Sequence, residues 1–523
     1  MADRPRVQDV RRFWRDVQAP PSILKRLEPV YYVFITLAIG GPFVYGTASE
    51  ALAEVATPRA VATWGPSLAL AGVLALTRWG AVQGPVVFSV ADVGQLLAAP
   101  LRRAELVLGR LVRGLLSGTG LGAVLAAIVL VGVAGDGRGI AVGRAAAFVV
   151  ALACLVLLGV AAAALVQGAA RWDRATRRAS WPLLAAAAGL VVLAADDGST
   201  GRAIALWSGP WGWALQPLVP DQRAIAWPVA LAALALLTAL AVGHGVRRRG
   251  ATPTERHLVR AEARSGAVAA LYSMNARFVG RSLARAAAGP VAARGASPIR
   301  PPRDPRLAIA WRDAVAALGT PQRLGEALVL ATGGIVVCLV NGEHPAAVAA
   351  GALAVYAGAS RLLEPLRAET DQPSRVRVLL RAPMGRVLVQ HAVVPAAVVL
   401  AGALLAVAGT AAAGALPPHG GAAAAMAVAA TPSIVLCAAL NGRRGGQLPP
   451  SLMAVTGTDT TGMSGAVIVA WIVAFPALAA LLGAVPVSAV VHSGPDALAQ
   501  LVLLLAAAAA GLATALSWSR YAP

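Results

Sequence analysis

The chain has 523 residues, 58% of them hydrophobic and 13% charged, against a charged share of about 25% in soluble domains. Its 45 basic and 24 acidic residues leave a formal charge of +21. A chain built mainly of soluble domains is excluded, because apolar runs of about 20 residues, each enough to cross a hydrocarbon core of about 30 Å, recur from Val30 to Leu516.

In a soluble protein such basicity would point to nucleic acid. In a membrane chain it reports orientation, since basic residues collect in cytoplasmic loops, and no nucleic-acid partner is expected. Only Lys25 is a lysine; the arginine bias accompanies abundant Ala, Gly and Val, the signature of a GC-rich coding sequence, and carries no phosphate-binding meaning by itself.

The chain opens on a charged stretch in which Val7, Val10, Trp14 and Val17 share one helical face, with Arg11, Arg12, Arg15 and Asp16 elsewhere. That pattern predicts an amphipathic helix lying in the membrane interface. No short apolar core with a cleavage site follows Met1, so no cleaved signal peptide is expected. Apolar runs then predict spans at 30–48, 60–77, 111–134, 145–166, 181–195 and 227–246. Gly40-Gly41-Pro42 should kink the first of them, and Gly114, Gly118 and Gly122, four apart, permit close packing of the third.

Residues 247–305 are rich in Arg, Ala, Gly and Pro. They read as a basic linker, helical around 255–285 and loose elsewhere. A second amphipathic segment follows, with Leu307, Trp311, Ala314, Val315 and Leu318 on one face, and then runs at 324–341, 346–360, 391–415, 421–440, 464–483 and 497–516. The expected fold is all-α and polytopic: about twelve transmembrane helices in two six-helix halves, 1–246 and 306–523, each led by an interfacial helix. If both termini face the cytoplasm, 39 of the 45 basic residues fall on that side, five (Arg59, Arg138, Arg144, Arg202, Arg223) fall outside, and Arg113 lies within a span. This asymmetry fixes the expected topology in a bacterial plasma membrane.

The halves look like copies. Trp14-Arg15-Asp16 recurs as Trp311-Arg312-Asp313 before the first span of each half, and Leu96-Leu97-Ala98-Ala99-Pro100 recurs as Leu379-Leu380-Arg381-Ala382-Pro383 between the second and third spans, with Arg103 matched by Arg386. Two matches in the same order and topological place point to duplication. An even number of spans per half makes the repeats parallel. The loops that carry the second match, 78–110 and 361–390, are long for a chain with otherwise spare connections, which marks them as functional. A short amphipathic helix in each should break at Pro100 or Pro383.

The Trp-Arg-Asp helix, followed between spans two and three by Leu-Leu-Ala-Ala-Pro-Leu-Arg-Arg-Ala-Glu-Leu and then Gly109-Arg110, resembles the permease subunit of type-2 ATP-binding-cassette exporters. The resemblance covers nearly the whole chain, once in each half, and implies a fused double-length permease. In that family the second-to-third loop forms a coupling helix that docks on the ATPase. The resemblance therefore implies two copies of a separate ATPase as partners beside membrane lipids, with ATP and Mg on those subunits and no cofactor on this chain. It assigns ATPase contact to Trp14, Arg15, Asp16, Pro100, Arg102, Arg103, Glu105, Trp311, Arg312, Asp313, Pro383 and Arg386. The second copy departs from the first, since Met384-Gly385 stands for Leu101-Arg102 and Glu105 has no acidic counterpart. Between spans five and six, where the family often has short re-entrant helices, the loop 196–226 carries Trp207, Trp211 and Trp213 beside Gly209, Pro210, Pro217 and Pro220. These tryptophans are the candidates for an outer gate, against the plainer reading of an aromatic belt. The matching loop of the second half is read as the shorter 485–496.

Absences separate the mechanisms. A phosphate-binding loop needs Gly-Lys-Ser or Gly-Lys-Thr, and Lys25 follows Leu24, so nucleotide hydrolysis is expected on another chain and no catalytic residue on this one. Proton coupling needs titratable groups inside the membrane; Glu326, His244 and His391 lie near span ends and read as interfacial. A major-facilitator transporter is the rival of equal span number, but its Asp-Arg signature between spans two and three is missing, Asp173-Arg174 lying between spans four and five. An integral membrane lipid-modifying enzyme would need paired acids or histidines, and the only adjacent acidic pair, Asp196-Asp197, precedes the turn-like Gly198-Ser199-Thr200. The six histidines show no metal-ligand spacing, and Cys154, Cys338 and Cys437 all fall within spans as small apolar residues. Charge-poor spans favour a hydrophobic or amphiphilic cargo.

Overall fold

The computed structural model describes residues 57–97, 102–135, 140–195, 199–219, 226–248, 252–272, 300–304, 307–371, 384–412, 419–444 and 463–517, with the single positions 99, 414 and 416. The first interfacial segment with Trp14, Arg15 and Asp16, the first predicted span, Pro100 and Pro383 lie outside these residues. Among the described residues the protein is all-helical. Eight helices are long and apolar enough to cross a membrane, and a ninth is if Pro345–Leu362 and Glu364–Thr370, bent by 61° at Leu363, form one broken span.

The chain divides into two compact units: one takes the chain to Arg177 and again Asp197–Ala269 and Gly280–Gly289, and the other takes Arg178–Asp196, Ala270–Val279 and all from Pro290. In the first unit α1 (Pro58–Val82), α2 (Arg103–Gly135), α3 (Val142–Gly168), the first turns of α4 (Ala170–Ala195), the short α5 (Ser199–Trp207) and α6 (Pro210–Trp213), and α7 (Ala226–Arg247) are followed by α8 (Thr254–Tyr272). The apolar α3 is the hub, with α1, α2 and α7 packed on it. Small residues set the distance: a Cβ on Gly80 of α1 would lie 2.2 Å from the carbonyl oxygen of Ala163 in α3. Helices can approach this closely only where a side chain is missing. Phe148, Leu206, Leu215 and Leu218 fill the core at one end of α3. Gln167 marks the other end, about 28 Å away at 1.5 Å per residue.

The second unit holds the rest of α4, then α9 (Ala308–Leu318), α10 (Pro321–Val340), α11 (Pro345–Leu362), α12 (Glu364–Asp371), α13 (Met384–Gln390), α14 (Val393–Ala412), α15 (Gly420–Arg443), α16 (Met463–Ser493) and α17 (Leu498–Ser517). Its centre is α15, 72% of whose apolar window is buried inside the protein. Ala423, Ala427, Ala430, Ile434 and Ala438 present mostly one-carbon side chains to the helices around it, and residues this small let α10, α11, α12, α14, α16 and α17 all close on one helix. The Gly334 and Gly351 backbones bring α10 and α11 together, a Cβ on Gly334 falling 2.5 Å from the Gly351 carbonyl oxygen.

Helix ends depart from the hydropathy runs in an instructive way. The run 464–483 continues as helix to Ser493, carrying Pro476 and Pro486 inside it. The expected loop 485–496 therefore shrinks to Gly494, at φ 80°, and the 3₁₀ turn Pro495–Ala497. Proline removes a backbone donor but is tolerated in an apolar helix whose neighbours supply packing, so Pro486 is no terminus. The linker helix is observed from Thr254 to Tyr272.

Candidate functional site

The site in the first unit begins where α1 ends. Gly84, at φ +70°, reverses the chain against the side chain of Gln167. That carboxamide donates to the Gln83 carbonyl (2.8 Å) and the Val86 carbonyl (2.6 Å) and accepts from the Val86 amide (3.1 Å). Three backbone groups that would otherwise be stranded in a buried place are thus satisfied by one side chain. The following segment caps itself: Ser89 and Asp92 form a reciprocal capping box, with 3.0 Å bonds in both directions, over the turn Val90–Asp92 and the π-helical Val93–Leu97. Regular helix resumes at Arg103.

Arg110 Nη2 lies 2.9 Å from Asp92 Oδ2 and so ties α2 to the segment before it, across the intervening Leu97-to-Arg103 break. The same guanidinium stands over the Phe88 ring at 5.4 Å, a favourable cation–π distance. Burial pushes the Asp92 carboxyl up, but the Ser89 backbone and hydroxyl bonds and the Arg110 charge outweigh it, so its pKa lies below the usual carboxylate value. Helix α8 closes the cluster from the other side. His257 packs edge-on against Phe88 with ring centroids 5.1 Å apart. Burial, helped by the neighbouring Arg260 charge, holds its pKa down at about 4, and the imidazole is neutral at physiological pH. Arg260 donates to the Gln167 carbonyl at 3.0 Å and the Gly80 carbonyl at 3.5 Å, and burial with the nearby Arg256 lowers its pKa to about 10. Loop 78–110, the C-terminal end of α3 and the linker helix therefore meet in one place.

Of the residues expected on a partner-facing surface, Arg102 and Arg103 are exposed and Glu105 is partly so, 3.9 Å from Arg102. The tryptophans of the 196–226 segment occupy the opposite end of α3. Two short helices and a 3₁₀ turn stand there, but the three rings are not gathered. Trp207 faces outward, Trp211 donates to the Ser208 hydroxyl at 2.8 Å, and Trp213 packs into the core with Leu234 and Ala151. Gln216, fully buried, fastens this hairpin by donating to the Leu206 carbonyl.

In the second unit the Trp-Arg-Asp triplet lies on α9 and grips the second long loop near its start and just past its end. Arg312 Nη1 lies 2.7 Å from Glu369 Oε1 on α12, in the first part of the loop 361–390. Asp313 Oδ2 lies 2.5 Å from His391 Nδ1, just after it. The other Asp313 oxygen faces Arg312 Nε at 3.6 Å. Trp311 has its indole nitrogen buried with no hydrogen-bond partner among the described residues, and Arg386, on α13, is exposed. Two expectations are corrected here. His391 and Glu326 are not interfacial: His391 is buried against Asp313, and Glu326 is buried and accepts from the Ser180 hydroxyl at 3.2 Å. Position near a span end says nothing about which side of a helix a residue takes, and both point into the packed unit. Sequence reasoning also passed over Gln167, His257 and Arg260; the available signal was a lone amide ending the most apolar helix of the first unit.

Among the described residues no group of His, Cys, Asp and Glu is placed to hold a metal ion. A scan of the chain against protein-family models and curated proteins returns no match. The fold and the site define an all-α chain of long apolar helices, as befits a membrane protein.

Proposed function

We propose that this protein is the transmembrane permease of an ATP-driven exporter. In this reading it has twelve spans in two parallel six-helix repeats, 1–246 and 306–523, joined by the basic linker 247–305. It sits in a bacterial plasma membrane with both termini and the long loops in the cytoplasm, where the basic residues collect. Two copies of a separate ATPase subunit dock on the loops 78–110 and 361–390 and hold the ATP and Mg. The chain itself is no enzyme and moves a hydrophobic or amphiphilic molecule outward.

The observation that carries this reading is the mounting of the two loops. A segment that transmits force must be held on both sides, and part of each loop is: Asp92 pairs with Arg110 across residues 93–109, and consecutive residues Arg312 and Asp313 hold Glu369 and His391 on either side of residues 370–390. Between those anchors Arg102, Arg103 and Arg386 are exposed, as a docking surface requires. Charge reversal at Arg102 and Arg103 is expected to weaken co-purification with the ATPase while leaving membrane insertion intact, and the pure chain should hydrolyse no ATP. Undiminished co-purification of the reversed variant, or hydrolysis by the pure chain, would overturn the reading.

A proton-coupled secondary transporter is the second reading, favoured by the buried Asp313–His391 pair and buried Glu326, since buried titratable groups are the usual proton relays of transporters. Transport in vesicles decides between them. Export that survives collapse of the proton gradient while ATP and the partner are present supports the first reading, and export that stops supports the second.

A further inference from the structure

The first unit carries an arginine-rimmed cleft that borders the loop mounting, sharing Arg110 with it, and lies apart from the outer hairpin. Its volume is about 540 Å³, within the range of about 300–1,000 Å³ typical of small-ligand clefts. One wall is a single stripe of α2: Arg110, Arg113, Gly114, Ser117, Gly118 and Leu121 recur at the three- and four-residue spacing that puts side chains on one helix face. The stripe runs from guanidinium to leucine over about 16 Å. Glycine keeps its floor low, Gly114 lying against Pro85 and Gly118 against Val160. Trp79 and Leu76 of α1 form the facing apolar wall, and Arg264 of α8 reaches the mouth.

The charges are out of balance. Asp92 answers Arg110, whereas Arg113 and Arg264 are both exposed and make no ion pair among the described residues. Arg113 also stands inside the apolar span Arg103–Val133, level with the exposed Val112 and Leu116. An arginine where the charged end of a helix passes into its apolar part is best placed when an anion meets it, and the anion available at the rim of a membrane is a lipid phosphate. From this we infer that the cleft binds an anionic glycerophospholipid, of the phosphatidylglycerol class. The phosphate sits between Arg113 and Arg264, and the head of an acyl chain lies along Gly114, Gly118 and Leu121 against Trp79. A headgroup with net negative charge fits better than a zwitterionic one, because among the described residues the lining holds two arginines outside any ion pair and no acid, Asp92 being engaged by Arg110. The inference needs only that the helices lie in a membrane and is independent of export.

The full-length protein in nanodiscs of equal phosphatidylglycerol and phosphatidylcholine, extracted into mild detergent and weighed by native mass spectrometry, tests it. Retained phosphatidylglycerol should exceed phosphatidylcholine, and Arg113→Gln with Arg264→Gln should lower the retained phosphatidylglycerol about tenfold. Arg113→Lys with Arg264→Lys should keep most of it, and Arg323→Gln, exposed and not among the residues that line the cleft, should change nothing. Equal retention of both lipids by the parent, or unchanged retention by the glutamine pair, would overturn the proposal. Displacement by water-soluble glycerol phosphate at matched concentration would overturn it too, because a free phosphate would then suffice without the apolar wall. A glutamine pair that fails to fold, seen as loss of the monodisperse elution peak, leaves the lysine pair and the lipid ratio of the parent to decide.

Discussion

Asp313 and His391 meet at 2.5 Å with the two side chains 4% and 1% exposed, and 78 residues of sequence separate them. The pair joins α9 to the junction of α13 and α14, so the interfacial Trp-Arg-Asp helix is fastened into the core of its unit and does not merely float on a membrane surface. Removing one partner strands the other in a buried place, which costs about 3–5 kcal/mol when the survivor is charged. Asp313→Ala is therefore expected to lower the thermal unfolding midpoint in detergent, and His391→Ala likewise. The double variant should lose less than the sum of the two by about 1 kcal/mol or more. Strict additivity would mean the two residues act separately.

Gln167 offers a cleaner local test. Its carboxamide satisfies the Gln83 carbonyl and both polar groups of Val86, and an unsatisfied buried group costs about 1–3 kcal/mol. Gln167→Leu, which fills similar volume without hydrogen bonds, should raise amide exchange through 83–93 by one to two orders of magnitude and leave α15 protected as before. Unchanged exchange in 83–93 would refute the role assigned to this side chain.

Much of the helical pattern was legible because it is written in apolar runs, and 145–166 and 227–246 match Val142–Gly168 and Ala226–Arg247 closely. Ends were harder. A composition window cannot see that Arg103–Arg110 continues helix α2 downward, because charged residues are as helical as apolar ones once the helix leaves the membrane. The Trp-Arg-Asp repeat was visible as a pattern, yet its use of His391 and Glu369 was not: partners so remote in sequence are set by tertiary packing, which a single chain read in order does not encode. The three outer tryptophans show the reverse, a cluster in sequence that packing disperses.

His257 gives the first unit a pH dependence. Its folded pKa of about 4 lies below the unfolded 6.5, so the neutral ring contributes stability that is fully present above 6.5 and is lost as pH falls toward 4. The full effect is about 3 kcal/mol. Limited proteolysis of the 83–102 region and α8 should therefore quicken between pH 6.5 and 4, and His257→Phe, which keeps an aromatic ring beside Phe88, should flatten that dependence. Parallel pH profiles for parent and variant would remove His257 from the account.

Positions at the two ends of α3 provide a topological check. Gly266 on α8 stands at the Gln167 end, and Ser199 opens the hairpin at the Phe148 end. With Cys154, Cys338 and Cys437 replaced, single cysteines at these two positions should react with a membrane-impermeant maleimide from opposite sides, Gly266→Cys from within and Ser199→Cys from outside. Labelling of both from one side would contradict the orientation proposed from the basic residues.

The adjacent pairs on α9 make stability and coupling separable. Arg312–Glu369 is short but half in solvent, with Arg312 42% exposed, and exposed pairs contribute only about 0–1 kcal/mol; Asp313–His391 is buried and carries the structural load. Glu369→Gln should therefore leave the unfolding midpoint within about 2 °C for a chain of this size, yet free one end of the 372–383 segment. If that segment conveys the ATPase stroke, export driven by ATP should fall several-fold with no change in the amount of ATPase bound. The exchanged pair Arg312→Glu with Glu369→Arg should recover part of it, because the link is restored with its charges reversed. Loss of binding together with export would instead assign Glu369 to the docking surface itself, and full export by Glu369→Gln would show that the loop needs no anchor on its α12 side.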